Sequence, residues 1–236
     1  MQKRSYYKLR YMMLFVMSTA VLGACKKNNY LSGGTINNSN VRMTTYDYLA
    51  GNSLNQFDSV LLIIDKAGLK DLINQQGVTF FAPTNAAVYA YLNARTIAMQ
   101  KVDPSAKYTM DTLFKYDLAR MADSMRMYVV NQPLTYDKLT ADGAKYATQL
   151  PGDTAVVAFM PTNNAALGYF NQISTVPQIV TYFQLWQPLA DPFQAVNIPN
   201  NVGVMNICQT SGIQTTTGTL HVLASFYPLF FYGTQK

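Results

Sequence analysis

The chain has 236 residues, 49% of them hydrophobic and 13% charged, with 18 Lys and Arg against 12 acidic residues and a formal net charge of +6. Every acidic residue is aspartate, so the usual glutamate candidates for acid–base chemistry are missing, and one histidine and two cysteines leave few parts for metal, redox or nucleophilic sites. Four of the cations, Lys3, Arg4, Lys8 and Arg10, lie in the first 24 residues; beyond them 14 basic residues face 12 acidic ones, a net of +2. The basic character therefore reports the amino end, and a nucleic-acid partner is not expected.

After this positive stretch, Tyr11 to Leu22 forms an uncharged apolar run of about twelve residues, the length of a signal-peptide core. It is too short to span a bilayer, which takes roughly twenty. The run ends in Leu22-Gly23-Ala24-Cys25, which resembles a bacterial lipobox: a branched residue, then two small ones that fit the peptidase. The resemblance implies that residues 1–24 are a lipoprotein signal peptide and that Cys25 carries a diacylglyceryl thioether and an acylated amino group. Several acyl chains, at about 0.8 kcal/mol per buried CH2, would hold the protein at a membrane. A plain signal peptide with an incidental cysteine is the alternative. Lys26 stands where inner-membrane lipoproteins commonly carry aspartate, so the outer membrane of a bacterial cell envelope is the expected location.

Residues 25–41 read as the lipidated cysteine and a flexible tether, because Lys, Asn, Ser and Gly dominate and little apolar surface can be buried. A coil of this length spans about 20 Å. From residue 42 to 232 the pattern is globular. Phe57, Val60, Leu61 and Ile64 recur at helical spacing, Gly68 breaks the pattern, and Leu69, Leu72 and Ile73 supply a second helical turn. Val78 to Ala82 is rich in β-branched and aromatic residues and reads as a strand stopped by Pro83. Thr84 or Asn85 then caps a helix with Val88, Tyr91 and Leu92 on one face.

The stretch from Thr44 to Leu92 resembles the first half of a fasciclin domain, and its signature block falls on Thr79, Phe81, Ala82, Pro83, Thr84 and Asn85. A second family block is met by Met127-Tyr128-Val129-Val130, with Tyr128 where the family has histidine. The closing block is met by Thr217-Gly218-Thr219-Leu220-His221-Val222-Leu223, with Thr217 in place of asparagine. These positions are expected to be structural. The resemblance implies an α+β fold, a fasciclin-like wedge of twisted β-sheets with helices packed on one side, and a common theme of extracellular adhesion.

Spacing in the second half exceeds the family pattern, and the excess lies at about 155–200. It contains a near-copy of the signature, Val156 to Ala165 against Val78 to Ala87, displaced by 78 residues. One domain with an insertion is favoured over two partly merged units, because there is one closing His block. Within the insertion, Val176 to Trp186 reads as an amphipathic helix, and Pro188, Pro192 and Pro199 mark a loop-rich return.

Candidate chemistry is sparse. His221 is centred in an apolar strand and reads as a hydrogen-bonded structural imidazole. Cys208 reads as a buried small hydrophobe. Asp117 and Asp123 flank Arg120 on a predicted helix as solvated charges, and Asp137, Asp142 and Asp153 lack calcium-loop spacing. Familiar hydrolase, metalloprotease and phosphate-loop motifs are absent from the sequence. No catalytic residue, metal or cofactor is expected.

Binding is the better-supported class. Many tyrosines offer amphipathic rings suited to protein contact or sugar stacking, and Trp186 is the candidate binding residue. The aromatic tail Phe226 to Tyr232 is either a last core strand or a docking patch. The expected function is a non-catalytic envelope lipoprotein mediating adhesion or protein contact, with an accessory glycan-binding lipoprotein of a polysaccharide uptake system as the alternative. The expected partners are the membrane, through lipid on Cys25, and a protein or a glycan.

Overall fold

A computed structural model of the chain describes residues 39–163 and 176–225. The lipobox, most of the tether, the aromatic tail and the segment after the repeated signature lie outside the described residues. The chain first pairs at β1 (Ser39–Asn40), which runs parallel to a late strand; Val41 N–H donates to Gln214 C=O at 2.8 Å. These residues read as tether because pairing through the backbone needs no apolar side chain to announce it.

Among the described residues six α-helices follow, with one strand between the third and fourth. α1 (Thr45–Ala50) is capped by Thr44, whose hydroxyl accepts from Asp47 N–H at 3.1 Å. α2 (Asp58–Lys66) buries Val60, Leu61, Ile63 and Ile64, and Gly68, at φ 66°, turns the chain into α3 (Lys70–Ile73). β2 (Val78–Ala82) is buried at every position. α4 (Asn85–Gln100) starts where Pro83 ends that strand and buries Ala87, Val88 and Tyr91. α5 (Met110–Tyr116) and α6 (Leu118–Met127) complete the set, α6 burying Met121, Ala122 and Met125.

The remaining strands are β3 (Val129–Val130), β4 (Ala144–Ala147), β5 (Thr154–Pro161), β6 (Gln178–Leu185), β7 (Gly203–Gln214) and β8 (Gly218–Leu223). Their order is β3-β2-β8-β7-β6-β5-β4, and β2–β8 is the one parallel pair along this path. The two ends of the path meet: Val130 bridges Thr148 just past β4, and Gln149 N–H donates to Val129 C=O at 2.8 Å. The strands thus form a closed hydrogen-bonded ring, which removes the open edges that invite further pairing. β7 is shared by both halves, pairing β6 through Gly203–Ile207 and β8 through Cys208–Gln214, with register shifts between Cys208 and Ile213 that let it bend.

The helices pack on the β8, β2 and β3 part of this ring. The fold is therefore α+β, a ring of strands with helices packed against one part of it. The main core joins α2, α4 and α6 to the inward faces of the strands; a smaller one, of Val156, Ala158, Phe183, Leu185 and Ala195, lies beneath the loop after β6.

One element differs in kind from the sequence expectation. Val176 to Trp186 contains β6, not a helix, and β6 lies between β5 and β7 in the sheet. Every position from Val180 to Leu185 is buried, so both faces of the strand are covered and the polar alternation that separates strand from helix is missing. Its β-branched and aromatic content, Ile179, Val180, Thr181, Tyr182 and Phe183, decides in favour of the strand. The stretch at 155–200, read as an insertion, supplies both β5 and β6.

Gly212 sits in the irregular part of β7 at φ 73°, and a Cβ there would lie 2.3 Å from Cε2 of Tyr136. Gly68 has a similar φ of 66° with nothing within 4 Å of its would-be Cβ. In urea denaturation Gly212→Ala is expected to lose about 2–4 kcal/mol, combining left-handed strain with overpacking. Gly68→Ala should lose about 1 kcal/mol. Equal losses would show that the Tyr136 contact does not constrain the fold.

Candidate functional site

Thr79 of the signature and His221 of the closing block meet in one structural latch. Thr79, buried on β2, donates through its hydroxyl to Gln132 C=O at 2.6 Å and accepts from Leu134 N–H at 2.7 Å. One strand over, His221 on β8 is fully buried and reaches the same segment, its Nε2 lying 2.9 Å from Leu134 C=O. A carbonyl only accepts, so Nε2 carries the proton and Nδ1 accepts from Gly212 N–H, at 3.3 Å. The imidazole thus satisfies a backbone donor in the irregular stretch of β7 and straps that strand to the loop after β3. Tyr136 reinforces the strap, its hydroxyl lying 2.8 Å from Ser211 C=O.

Burial pushes the His221 pKa down to about 4, partly offset by the Leu134 carbonyl, so the ring is neutral at physiological pH. Phe81 stacks on it with centroids 5.0 Å apart. Tyr128, the family's second block, is fully buried and donates to Gln184 Oε1 at 3.2 Å, while Tyr182 donates to Met127 C=O at 2.6 Å. Asn206, opposite Tyr182 on β7, is the exception among these inward polar groups: both polar atoms of its amide are buried without a partner. Gln184, Tyr182 and Asn206 were missed from the sequence because β6 read as a helix and Asn206 lies in an apolar run.

The Pro-Thr-Asn turn is a second clamp. Asn85 accepts from Ser59 N–H at 2.8 Å, covering an unpaired donor at the start of α2, and donates to Asn55 C=O at 2.7 Å. Thr84 bonds Ser225 Oγ at 3.1 Å, tying the turn to the chain just past β8. Gly218 lies so close to β2 that a Cβ would fall 2.1 Å from Val78 C=O. Thr217, where the family has asparagine, accepts from Thr45 N–H at 3.2 Å and keeps the turn joined to α1.

Asp117 departs from the solvated charge expected of it. Its side chain is only 14% exposed; Tyr108 donates to it through a short hydrogen bond, and Arg95 and Arg120 approach to 3.4 and 3.8 Å. Burial first, and then this carboxylate, raise the Tyr108 pKa. The cluster pins the α4–α5 connection to the start of α6, and its carboxylate is occupied by those three partners. Asp123 is the exposed charge expected, 3.0 Å from Arg126. Cys208 is a buried free thiol whose pKa is raised by burial. Among the described residues no His, Cys and Asp cluster could hold a metal.

Trp186 lies apart from the latch, in an open cleft of about 380 Å³. Its lining combines Lys145 of β4, Gly152 and Asp153 of the β4–β5 turn, Thr154 at the start of β5, and the segment that leaves β6 through Trp186 and Gln187. The backbone of these last two is pinned, both N–H groups donating to Val202 C=O at 2.9 and 3.2 Å. Lys145 bonds Leu189 C=O at 2.7 Å and Asp191 at 2.8 Å, and Asp153 accepts from Thr148 at 2.9 Å. The lipobox residues Leu22, Gly23, Ala24 and Cys25 lie outside the described residues.

The Fasciclin domain profile matches residues 55–181, more than half of the chain. The chain belongs to the fasciclin domain family. The match covers the helices from α2, the Pro-Thr-Asn turn, and the strands from β2 to the first half of β6; it stops before β7 and the closing block on β8. No curated protein matches the chain. Among solved structures, the domain pair of the insect cell adhesion molecule fasciclin I is similar at 14% identity and a TM-score of 0.43, over 75% of this chain and 47% of that one. The chain thus spans about half the length of that structure.

Within this fasciclin domain the His221 latch has a measurable pH signature. Unfolded, the imidazole binds its proton near pH 6.5; folded, it does so only near 4, so the unfolded state holds more protons between those values. The contribution is complete above 6.5 and is lost as pH falls toward 4, reaching about 3 kcal/mol. His221→Gln should have lower stability at pH 7 and a flatter profile from pH 6.5 to 4. Parallel profiles for wild type and variant would place a proton on the native imidazole.

Proposed function

We propose that this chain is a non-catalytic, lipid-anchored envelope protein whose fasciclin domain mediates adhesion or protein–protein contact. The observation that carries this reading is how the family residues are used. Thr79, Asn85, Tyr128 and His221 are committed to internal hydrogen bonds, while the helical side turns large side chains outward: Tyr89 and Tyr116 are about 70% exposed, and Ile97, a little over two turns beyond Tyr89 on α4, is half exposed. Amphipathic rings on a rigid helical surface suit protein contact. Anchoring rests on Leu22-Gly23-Ala24-Cys25 and its basic, apolar leader, and Lys26 favours an outer membrane. Attachment through Cys25 would let weak contacts act together across a membrane.

A second reading, a glycan-binding accessory of an outer-membrane polysaccharide uptake system, is favoured by one observation, the cleft at Trp186.

Fractionation and aggregation of cells displaying the chain test the main reading. The wild-type chain should require detergent for release and promote cell–cell aggregation. Cys25→Ser should move to the soluble fraction and lose aggregation. Retention of Cys25→Ser in the membrane would refute lipid anchoring, and aggregation equal to that of a deletion strain would refute adhesion.

A further inference from the structure

We propose that the end of α4 and the loop after it form a prong that docks on an anionic bilayer surface, Ile97, Met99 and Val102 entering the lipid and Lys101 and Lys107 meeting the headgroup phosphates. The inference adds a second membrane contact to the anchored reading and does not need lipid on Cys25.

Shape is the first argument. Every residue from Ile97 to Ser105 is exposed, and the four from Ile97 to Gln100 cover the whole circumference of the last turn of α4, so the helix end runs clear of the domain. The loop beyond it is braced from within. Val102 and Asp103 N–H both donate to Met99 C=O at 3.0 Å, Gln100 Nε2 donates to Ala106 C=O at 3.1 Å, and Tyr108 N–H donates to Thr96 Oγ1 at 2.9 Å. The prong is therefore ordered before it meets a partner.

Composition is the second. Val102, 91% exposed, is the most exposed large hydrophobic side chain among the described residues, and Ile97 at 53% and Met99 at 39% stand within about one and a half turns of it. These unbranched and branched apolar chains sit beside two exposed lysines, with no exposed ring among them. The buried centres of protein interfaces favour aromatic residues and disfavour lysine, whereas apolar side chains flanked by lysine suit the boundary between acyl chains and phosphates. Tyr89 and Tyr116, which serve the adhesion reading, lie outside the prong.

Charge decides the kind of surface. Between Asn85 and Met127 six Lys and Arg stand against four Asp, a net of +2, whereas the other described residues hold five against eight, a net of −3. The prong thus belongs to the positive part of a polarised domain. Its own aspartate, Asp103, is turned back onto Ser105, accepting from the backbone N–H at 2.9 Å and from Oγ at 2.7 Å. An anionic surface orients such a domain prong-first, and a zwitterionic one does not.

The full-length chain on vesicles tests this, with Val102→Cys carrying an environment-sensitive fluorophore; Cys208 is buried, and the unsubstituted chain serves as the labelling blank. On vesicles of phosphatidylethanolamine and phosphatidylglycerol the label should shift to the blue and be quenched by spin-labelled lipid. A label on Asn200→Cys, exposed in the loop before β7, should do neither, and on phosphatidylcholine alone the response at 102 should be lost. Lys101→Gln and Lys107→Gln should each weaken docking about fivefold. Val102→Asp, read from a label on Met99→Cys, should abolish it. An unshifted label at 102 on the anionic vesicles overturns the proposal. So does an equal response at Asn200→Cys or on phosphatidylcholine, or docking that survives Val102→Asp. Flotation of the chain with phosphatidylcholine vesicles reads the anchor separately: flotation with an unshifted label on anionic vesicles defeats the prong and leaves the anchored reading intact, and a shift on anionic vesicles without that flotation does the reverse.

Discussion

Closing the ring of strands requires β2 and β8, at opposite ends of the domain sequence, to lie side by side in parallel from Val78 with Gly218 to Ala82 with Val222. Parallel neighbours cannot be joined by a tight turn, and the loop entropy of so distant a pairing is met only once most of the chain is in place. Two devices hold the seam. Gly218 lets the backbones approach where any side chain would strike Val78. Thr79 and His221, on adjacent strands, both reach the loop after β3, so that loop cannot leave without breaking bonds to both.

The same constraint explains why the family residues are poor candidates for chemistry. A buried imidazole that donates to Leu134 C=O and accepts from Gly212 N–H has both nitrogens engaged, and leaving either backbone group unpaired would cost about 1–3 kcal/mol. Tyr128, Thr79 and Asn85 are engaged in the same way. What is left for recognition is surface: the outward rings of the helical side and the cleft formed where the β4–β5 turn meets the loop after β6. These surfaces lie on elements that the latch fixes only indirectly, so they can vary in chemistry without disturbing the fold.

Helices that bury one face were legible in the sequence, and so was one strand, β2, although it is buried throughout. α2, α3 and α4 show helical spacing with Gly68 and Pro83 as punctuation, and β2 announces itself by β-branched and aromatic residues between Gly77 and Pro83. β6 was not, because burial on both faces erases the period. β1 was not, because it pairs through backbone alone. Asp117 read as solvated because its partners Tyr108 and Arg95 are distant in sequence or on another helix, and only folding brings them together. Trp186 was selected as the one large aromatic of its kind; that it would line a cleft with Lys145 and Asp153 depends on a turn and a loop whose meeting no local pattern encodes.

Because the chain has a single histidine, the state of the latch can be observed directly. The 15N chemical shifts of the His221 side chain, followed in selectively labelled protein from pH 7.5 to 4.5, test the claim that this motif residue is structural. A neutral ring protonated at Nε2 and accepting at Nδ1, with no titration until the pH approaches 4, is the predicted result. An imidazolium already present at pH 6, or a ring protonated at Nδ1, would contradict it and return His221 to the list of groups available for chemistry.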